Sequence, residues 1–175
     1  MTASSPLWLI TGCCSDLGRA LATRALSHGH RVIARARRPE QLDDLVAAYP
    51  ETCRSLELAV TNSERVRAVV ANAASTIDRL DVVVNNAGYG LIGAFEELGA
   101  GPIARNFETN FFGALEVIRA ALQILRAQQS GQIVNISAAA VIANYAGFSI
   151  YGATKWALEA SPNRSPPNSS RSESR

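Results

Sequence analysis

Short apolar runs alternate along the chain with longer stretches in which apolar residues recur every three or four positions. The short runs are rich in β-branched residues and suit strands that are buried on both faces, as in a parallel sheet. They cover residues 7–10, 32–34, 82–84 and 133–136, with a weaker candidate at 55–60. The alternation of strands and helices predicts an α/β fold with a doubly wound, Rossmann-like parallel sheet.

Four amphipathic helices are predicted between these runs because their apolar residues fall on one face. They cover residues 17–27, 39–49, 66–77 and 103–128, and a fifth helix is expected at 149–160. Thr61 and Glu64 have the spacing of a capping box in front of the third helix. Asn110 interrupts the apolar face of the fourth helix, which indicates either a functional amide or a polar residue that bends the helix.

The composition of the 175 residues, 47% apolar and 18% charged, is that of a globular protein with one domain. It changes abruptly after residue 160, because 161–175 contains no hydrophobic residue. We therefore expect a domain at 1–160 and a disordered tail at 161–175. The Arg and Ser content of the tail also suits binding to RNA or to a partner; the alternative is a tail without specific function.

The formal net charge of +2 comes from the tail, so the body offers no electrostatic footprint for nucleic acid. No apolar run approaches the length of a membrane span, and none is expected. Three cysteines and the lack of a basic leader favour a reduced, cytoplasmic protein, in which Cys13 and Cys14 are small apolar fillers of a loop. No cysteines and histidines have zinc spacing, so we expect no metal.

Two segments that follow predicted strands are candidates for binding a dinucleotide. Residues 11–18, with Gly12 and Gly18, lead from the first strand into the first helix, where doubly wound folds bind pyrophosphate. The second strand ends in the arginine-rich segment 35–38, which suits the 2′-phosphate of NADP better than the ribose hydroxyls of NAD. A solvated basic turn is the alternative for the second segment.

Two further motifs carry candidate chemistry. Tyr151 and Lys155 are four residues apart and share one face of a helix, where an ammonium favours the phenolate and lowers the pKa of the phenol. Such a pair can exchange a proton with a carbonyl or an alcohol. The segment 85–88, Asn-Asn-Ala-Gly, suits either a close approach of backbone to a ligand or a polar turn.

Together these motifs resemble the classical branch of the short-chain dehydrogenase/reductase family. The resemblance covers residues 7–160, and the motifs occur in the family's order and at compatible spacings. It implies hydride transfer between NADP(H) and a ketone or secondary alcohol of a small lipophilic substrate or secondary metabolite. The sequence that flanks the motifs is similar to that of family members that act on steroids, retinoids and fungal metabolites.

The resemblance implies a role for each matching residue. Tyr151 is the expected general acid and base, Lys155 would hold the nicotinamide ribose, and Asn110 would hold a water of the proton relay. Arg37 would bind the 2′-phosphate. The other expected cofactor contacts are Ile10, Gly12, Ser15, Leu17, Gly18, Asn86 and Gly88. The resemblance also implies a homo- or hetero-oligomer through helices 103–128 and 149–160.

The sequence departs from the family pattern in four respects. Asp16 replaces the middle glycine, so its carboxylate either enters the phosphate site or turns outward as a helix cap. Ala59 replaces an acidic residue that contacts adenine. Ala138 replaces the catalytic serine, and its neighbour Ser137 is expected to face away from Tyr151 unless a bulge rotates it inward. The family also continues beyond the last helix, so we expect a truncated fold with an open fifth strand.

Two functions are consistent with these observations. The first is an NADP-dependent oxidoreductase whose substrate pocket is completed by another chain, and Tyr151 and Lys155 favour it. The second is a catalytically impaired paralogue or fragment that binds a full-length relative, and Asp16 and Ala138 favour that.

Overall fold

A computed structural model describes residues 5–14, 16–77, 79–143 and 145–161. Ser15, a predicted cofactor contact, and residues 162–175 of the predicted tail lie outside the described residues. Among the described helices, none combines the length and apolar character that a membrane crossing requires. The same part of the chain contains no group of three or more histidine, cysteine or acidic residues that could hold a metal ion.

Five parallel strands form one sheet in the order β3-β2-β1-β4-β5. Their bounds are β1 Leu7–Thr11, β2 Arg31–Ala36, β3 Cys53–Glu57, β4 Val82–Asn85 and β5 Gln132–Asn135. The two central strands β1 and β4 are almost entirely buried, as their uninterrupted apolar runs predict. The doubly wound α/β sheet is therefore confirmed.

The third strand lies two residues earlier than predicted. The weaker strand candidate was 55–60, but the ladder with β2 ends where Glu57 pairs with Ala36. The Leu58 N–H makes one more bond, to the Ala36 carbonyl at 2.8 Å. Because β2 stops there, the next residues have no partner strand, and Leu58 and Val60 turn into the core instead.

Helices cover both faces of the sheet. Helix α1, Asp16–Ser27, and helix α2, Asp43–Ala48, pack on one face, and a 3-10 turn at Pro39–Leu42 precedes α2 within the predicted helix 39–49. Helix α3 is Ser63–Ile77, and it packs on the other face beside a longer helix. The cap of α3 is Asn62 rather than the predicted Thr61, because the Asn62 Oδ1 accepts the Arg65 N–H at 2.9 Å.

The predicted helix 103–128 begins three residues earlier and is not uniform. It consists of α4, Ala100–Phe107, a five-residue π-helical stretch, Glu108–Phe112, and α5, Gly113–Gln128. We call the middle stretch the π segment. Asn110 lies in it, so the polar residue that interrupts the apolar face marks a local change of helical pitch. Such π turns are frequent at functional sites.

The last described helix, α6, covers Ser149–Glu159. It packs against α4, the π segment and the 3-10 turn Ala139–Val141 that follows β5. In this position α6 brings the Lys155 Nζ to the Ile136 carbonyl, just after the carboxyl end of β5, with Tyr151 one turn earlier on the same helix. Within the described residues, β3 and β5 are the two edge strands of the sheet.

Candidate active site

A cavity of about 440 Å³ opens at the carboxyl ends of the strands. Each of the turns after β1, β2, β3 and β4 contributes to its lining, as the switch point of a doubly wound sheet requires. The lining residues are Gly12, Cys14, Ala36, Arg37, residues 58–61, residues 87–89 and Thr109 of the π segment. Arg37, the predicted ligand of a 2′-phosphate, is exposed here and is the one charged residue of this lining.

The turns after β1 and β4 are fastened to each other through Thr11 and Asn86. The Thr11 Oγ1 accepts the N–H groups of Asn86 and Ala87, both at 3.0 Å. The Asn86 side-chain amide donates to the carbonyls of Thr11 at 3.0 Å and Gly12 at 2.9 Å. The side-chain N–H groups of Asn86, a predicted cofactor contact, are thus used in hydrogen bonds within the protein, where they hold the turn that faces the cavity.

Gly18 is a packing requirement of this turn and does not line the cavity. A Cβ at this position would lie 2.3 Å from the Gly12 carbonyl oxygen and 2.4 Å from the Asn86 Nδ2. These two atoms form the hydrogen bond between the turns after β1 and β4. Helix α1 can therefore approach β1 this closely only if residue 18 has no side chain. Gly12 itself has a φ of +70°, which favours glycine.

Gly88 connects the cavity to the residues of α6. It lines the cavity, and a Cβ on it would lie 3.0 Å from the Asn110 Oδ1 and 3.5 Å from the Lys155 Nζ. Three predicted site residues from three separate elements therefore meet at one point. Of the three, Gly88 is the one that lines the cavity, and the buried side chains of Asn110 and Lys155 lie directly behind it.

Asn110 is completely buried and holds the backbone of Tyr89 on both sides. Its Oδ1 accepts the Tyr89 N–H at 3.0 Å, and its Nδ2 donates to the Tyr89 carbonyl at 2.9 Å. The π segment turns this side chain toward the loop after β4. The Asn106 Nδ2 donates to the same carbonyl at 3.0 Å, and Thr154 of α6 accepts from Asn110 at 3.2 Å. Sequence reasoning missed Asn106 and Thr154, although their spacing from Asn110 and Tyr151 was available.

Lys155 is only 4% exposed, and its Nζ donates to the Ile136 carbonyl at 2.8 Å. It lies 6.0 Å from the centroid of the Tyr151 ring. Burial lowers the pKa of Lys155, and burial raises the pKa of Tyr151. The expected lowering of the Tyr151 pKa by the ammonium is thus wrong for the chain alone, because the lysine is directed at a carbonyl and desolvation dominates.

Comparison with known proteins identifies this arrangement. The sequence model of the short chain dehydrogenase family matches residues 7–161. The chain belongs to the short-chain dehydrogenase family. It is 39% identical over 153 residues to "Oxidoreductase BOA17" of Botryotinia fuckeliana, covering 87% of this chain and 56% of that relative.

Two solved structures have the same fold over most of this chain. A short-chain dehydrogenase from Streptomyces avermitilis superposes with a TM-score of 0.88 at 46% identity, covering 90% of this chain and 58% of that one. ElxO with NADP bound gives 0.84 at 28% identity, covering 89% and 64%. The chain therefore spans little more than half the length of BOA17 and of the Streptomyces dehydrogenase.

The remaining predicted cofactor contacts, Ile10 and Leu17, and the two cysteines of the loop after β1 differ in how deeply they are buried. Ile10 is completely buried in the core under α1, so its side chain does not reach the cavity. Leu17 is 48% exposed at the start of α1. Cys13 is buried as expected, and burial raises the pKa of its thiol to about 12. Cys14 packs partly against the same core, as expected of a loop filler, and also lines the cavity.

Ser137 does not replace the catalytic serine of the family through a hydrogen bond to Tyr151. Its hydroxyl oxygen is buried and has no hydrogen-bond partner. Ala138, at the family's serine position, is extended with φ −147° and ψ 153°. The structure thus leaves a buried hydroxyl beside the site without a contact to the phenol.

Asp16, at the position of the family's middle glycine, turns outward. It is exposed and lines a groove with Arg19 and Arg24 on the outer side of α1, and it is not among the residues that line the cavity. Its φ of +50° lies in the left-handed region that glycine occupies without strain. Of the two alternatives drawn from the sequence, the structure agrees with the outward carboxylate, and its action as a helix cap stays a prediction.

We expect the Asp16→Gly variant to have a higher free energy of unfolding, by roughly 1 kcal/mol, because the backbone strain of the left-handed residue is relieved. Its unfolding temperature should rise accordingly. Its affinity for NADPH should rise by less than about tenfold, because an outward carboxylate repels a phosphate only weakly through water. Thermal unfolding and fluorescence titration measure the two effects. Asp16→Asn is the matched control that removes the charge and keeps the side chain. A gain of a hundredfold or more in both variants would show that the carboxylate occupies the phosphate site.

Proposed function

We propose that this chain binds NADP(H) and transfers a hydride between it and a ketone or secondary alcohol of a small lipophilic substrate or secondary metabolite. The observation that carries the proposal is the meeting of Gly88, Asn110 and Lys155 at the end of the cavity, one helical turn from Tyr151. It joins a nucleotide-sized cavity to a phenol and an ammonium. BOA17 is named an oxidoreductase, and ElxO was solved with NADP, which supports the reaction type and the cofactor.

The described residues fit a nicotinamide dinucleotide. A Cβ on Gly12 would meet Asn86 and Ala87 of the opposite turn, and a Cβ on Gly88 would meet Asn110 and Lys155, so both glycines leave room at the cavity. Helix α1 begins just after Gly12, and the first N–H groups of a helix have no acceptor within the helix and suit a phosphate. Arg37 is the cation that the 2′-phosphate of NADP requires, and no acidic residue lines the cavity to compete for it. The bound cofactor would supply the hydride. Ser15 and Leu17 remain proposed contacts of the same turn.

Tyr151 is the proposed proton donor to the substrate oxygen during reduction and the acceptor of that proton during oxidation. Lys155 would hold the sugar next to the nicotinamide with its ammonium and stabilise the phenolate once Tyr151 has given up its proton. Asn110 keeps the loop after β4 in place through Tyr89, which positions Gly88 against both. Ser137 is a proposed further donor to the substrate oxygen, provided that its buried hydroxyl turns toward Tyr151.

The two reaction directions should differ in pH dependence. Because burial raises the pKa of Tyr151, the phenol stays protonated beyond the ordinary phenol range of about 10 and remains an acid throughout neutral pH. Reduction should therefore be flat with pH until the solution approaches that range, and oxidation should rise toward alkaline pH. Initial rates in both directions between pH 6 and about 10 measure this. A fall of the reduction rate centred near neutrality would contradict a raised pKa of Tyr151 in the reacting complex, and loss of that fall in Tyr151→Phe would assign it to this phenol.

The alternative, an impaired paralogue or fragment that binds a full-length relative, is favoured by Ala138 at the position of the family's catalytic serine. Fluorescence titration with NADPH separates the two functions. Saturable binding together with ketone-dependent oxidation of NADPH supports the oxidoreductase. Absence of binding at millimolar NADPH supports the alternative.

Oligomerisation through the helices at 103–128 and 149–160 stays a proposal. Trp156 of α6 is 59% exposed and Phe112 of the π segment 48% exposed, which suits an apolar contact there. Sedimentation of the purified chain tests it, and a monomer at all concentrations contradicts it. The three cysteines are free thiols, as a proposed cytoplasmic location requires.

A further inference from the structure

Three completely buried polar side chains form one hydrogen-bonded network beside the candidate active site. They are Asn106 of α4, Asn110 of the π segment and Thr154 of α6, each 0% exposed. The Asn110 Nδ2 donates to the Asn106 Oδ1 at 3.4 Å and to the Thr154 Oγ1 at 3.2 Å. The remaining polar atoms of the three side chains bond to the backbone of Tyr89 and Tyr151. A buried network in which each member is satisfied specifies one arrangement of the segments that it joins.

The Tyr89 carbonyl is the point on which the two amides of this network converge. It accepts from the Asn106 Nδ2 at 3.0 Å and from the Asn110 Nδ2 at 2.9 Å. The two asparagines are four residues apart, so they lie on one face of the helical segment and reach the same acceptor. Because one donor is enough to compensate the burial of a carbonyl, the second donor acts mainly on its position.

Asn106 also determines which way the Asn110 amide faces. Its own Nδ2 is directed at the Tyr89 carbonyl, so its Oδ1 is the atom that faces Asn110. An amide oxygen accepts and cannot donate, so it must face the NH₂ group of Asn110 and not the oxygen. The Asn110 Oδ1 is then turned to the Tyr89 N–H, from which it accepts at 3.0 Å. Both backbone polar groups of Tyr89 are held in this way.

The network joins the turn after β4 to the helix that carries the proposed acid. Tyr89 and Gly88 of this turn both line the cavity. At the other end of the network, the Thr154 Oγ1 donates to the Tyr151 carbonyl at 2.7 Å. Asn106 of α4 therefore contacts the turn that faces the cavity directly, and it contacts α6 through Asn110 and Thr154.

We propose that Asn106 is a positioning residue, which holds the Asn110 amide and the turn after β4 in the arrangement that the reaction requires. This rests on the proposed function, because it assumes hydride transfer at the cavity. Asn106 is completely buried and is not among the residues that line the cavity, so it acts through Asn110 and the Tyr89 backbone. A displacement of about 1 Å at a reacting centre costs about 10²-fold in rate, so loss of one holding amide is measurable in turnover.

The test compares Asn106→Leu with the matched control Gln128→Met. Leucine branches at Cγ as asparagine does, and it removes both polar atoms from the network. Gln128 is a second amide that holds one residue's backbone on both sides, because its Oε1 accepts the Leu80 N–H and its Nε2 donates to the Leu80 carbonyl, both at 2.8 Å. Leu80 precedes β4, at the end of the sheet opposite the cavity. Both variants therefore lose a side chain that holds backbone, and only Asn106 holds backbone at the site.

We expect Asn106→Leu to lower turnover per NADPH-binding site about tenfold or more and to raise the Kd of NADPH less than about threefold. The affinity changes less because the cavity residues Gly12 and Arg37 are untouched. Gln128→Met should unfold at a lower temperature and keep wild-type turnover. NADPH oxidation at saturating ketone, fluorescence titration and thermal unfolding give these quantities. Asn106→Gln, which keeps a donor and an acceptor on a longer stem, should recover part of the lost turnover.

A double-mutant cycle tests whether Asn106 acts through Asn110. Asn110→Leu should lower turnover by itself. The double variant Asn106→Leu/Asn110→Leu should then be no slower than Asn110→Leu alone, because the network is already broken. Fully additive losses would show that Asn106 acts by another route, and they would overturn the inference.

The outcomes separate this inference from the proposed function. If the wild type reduces a ketone with NADPH and Asn106→Leu does so equally well, the inference is overturned and the proposed function stands. An equal loss of turnover in Gln128→Met would assign the effect to stability and also overturn it. Asn106→Ala, which removes the same atoms and adds no volume, replaces a leucine variant that does not fold; failure of both to fold assigns Asn106 to stability alone. If the wild type neither binds NADPH nor reduces a ketone, the proposed function fails, and the inference fails with it.

Discussion

Replacement of Tyr151 by phenylalanine should lower turnover by about 10²–10⁴-fold, the usual contribution of a positioned general acid. The affinity for NADPH should stay within about twofold of the wild type, because the ring and its edge-on contact with Phe148 are preserved. The measurements are NADPH oxidation at saturating ketone and fluorescence titration of NADPH. The split between turnover and binding identifies the hydroxyl as chemical rather than structural.

Tyr145→Phe is the matched control for this variant. Tyr145 also packs edge-on against Phe148 but is half exposed, so loss of its hydroxyl should leave turnover unchanged. Equal activity of the wild type and Tyr151→Phe would exclude Tyr151 as the acid. Ser137→Ala in the same assay tests the buried hydroxyl; an unchanged turnover number removes Ser137 from the mechanism.

The Gly18→Ala variant should lose both stability and cofactor binding. The added methyl would lie 2.3 Å from the Gly12 carbonyl oxygen and 2.4 Å from the Asn86 amide nitrogen. Neither atom can move away without a cost in stability, because the first belongs to the backbone and the second forms the hydrogen bonds that join the two turns. We expect a loss of about 1–3 kcal/mol in the free energy of unfolding. Binding of NADPH should weaken by more than the stability loss accounts for, since the turn that faces the cavity is displaced.

Gly90→Ala is the control for Gly18→Ala, since nothing lies within 4 Å of a methyl added there. Urea unfolding and NADPH titration of both variants measure the difference. Wild-type stability in Gly18→Ala would show that α1 approaches β1 less closely than in this structure. Wild-type binding in a destabilised variant would place the cofactor away from the turn after β1.

The extent of correct prediction differs between elements for physical reasons. The strands β1, β2 and β4 were placed closely because burial on both faces leaves an uninterrupted apolar run. The third strand was shifted because two apolar residues of the candidate, Leu58 and Val60, pack in the core after the ladder with β2 has ended. The π segment was not predicted, because no local pattern marks it: its buried Asn110 bonds to Tyr89, 21 residues away in the chain.

The candidate site was predictable where spacing along one helix or turn determines it. Tyr151 and Lys155 share a face of α6 by their separation alone, and Gly12 and Arg37 follow strands whose ends must meet. The direction of Asp16 and the pKa shifts of Tyr151 and Lys155 were not predictable. They depend on backbone dihedrals and on desolvation by distant elements, which no local pattern encodes.

The sequence by itself determined the family, the order of elements and the identity of the residues that carry the proposed chemistry. Hydrophobic periodicity and turn residues determine secondary structure over a few positions, so they can be identified directly in the sequence. Only the tertiary structure decided that Gly88, Asn110 and Lys155 meet at one point, that Asp16 faces outward and that Asn106 joins Asn110 beside the site. Those facts depend on which segments pack together across the sheet, and the partners of a buried polar group are set by that packing rather than by neighbours in sequence.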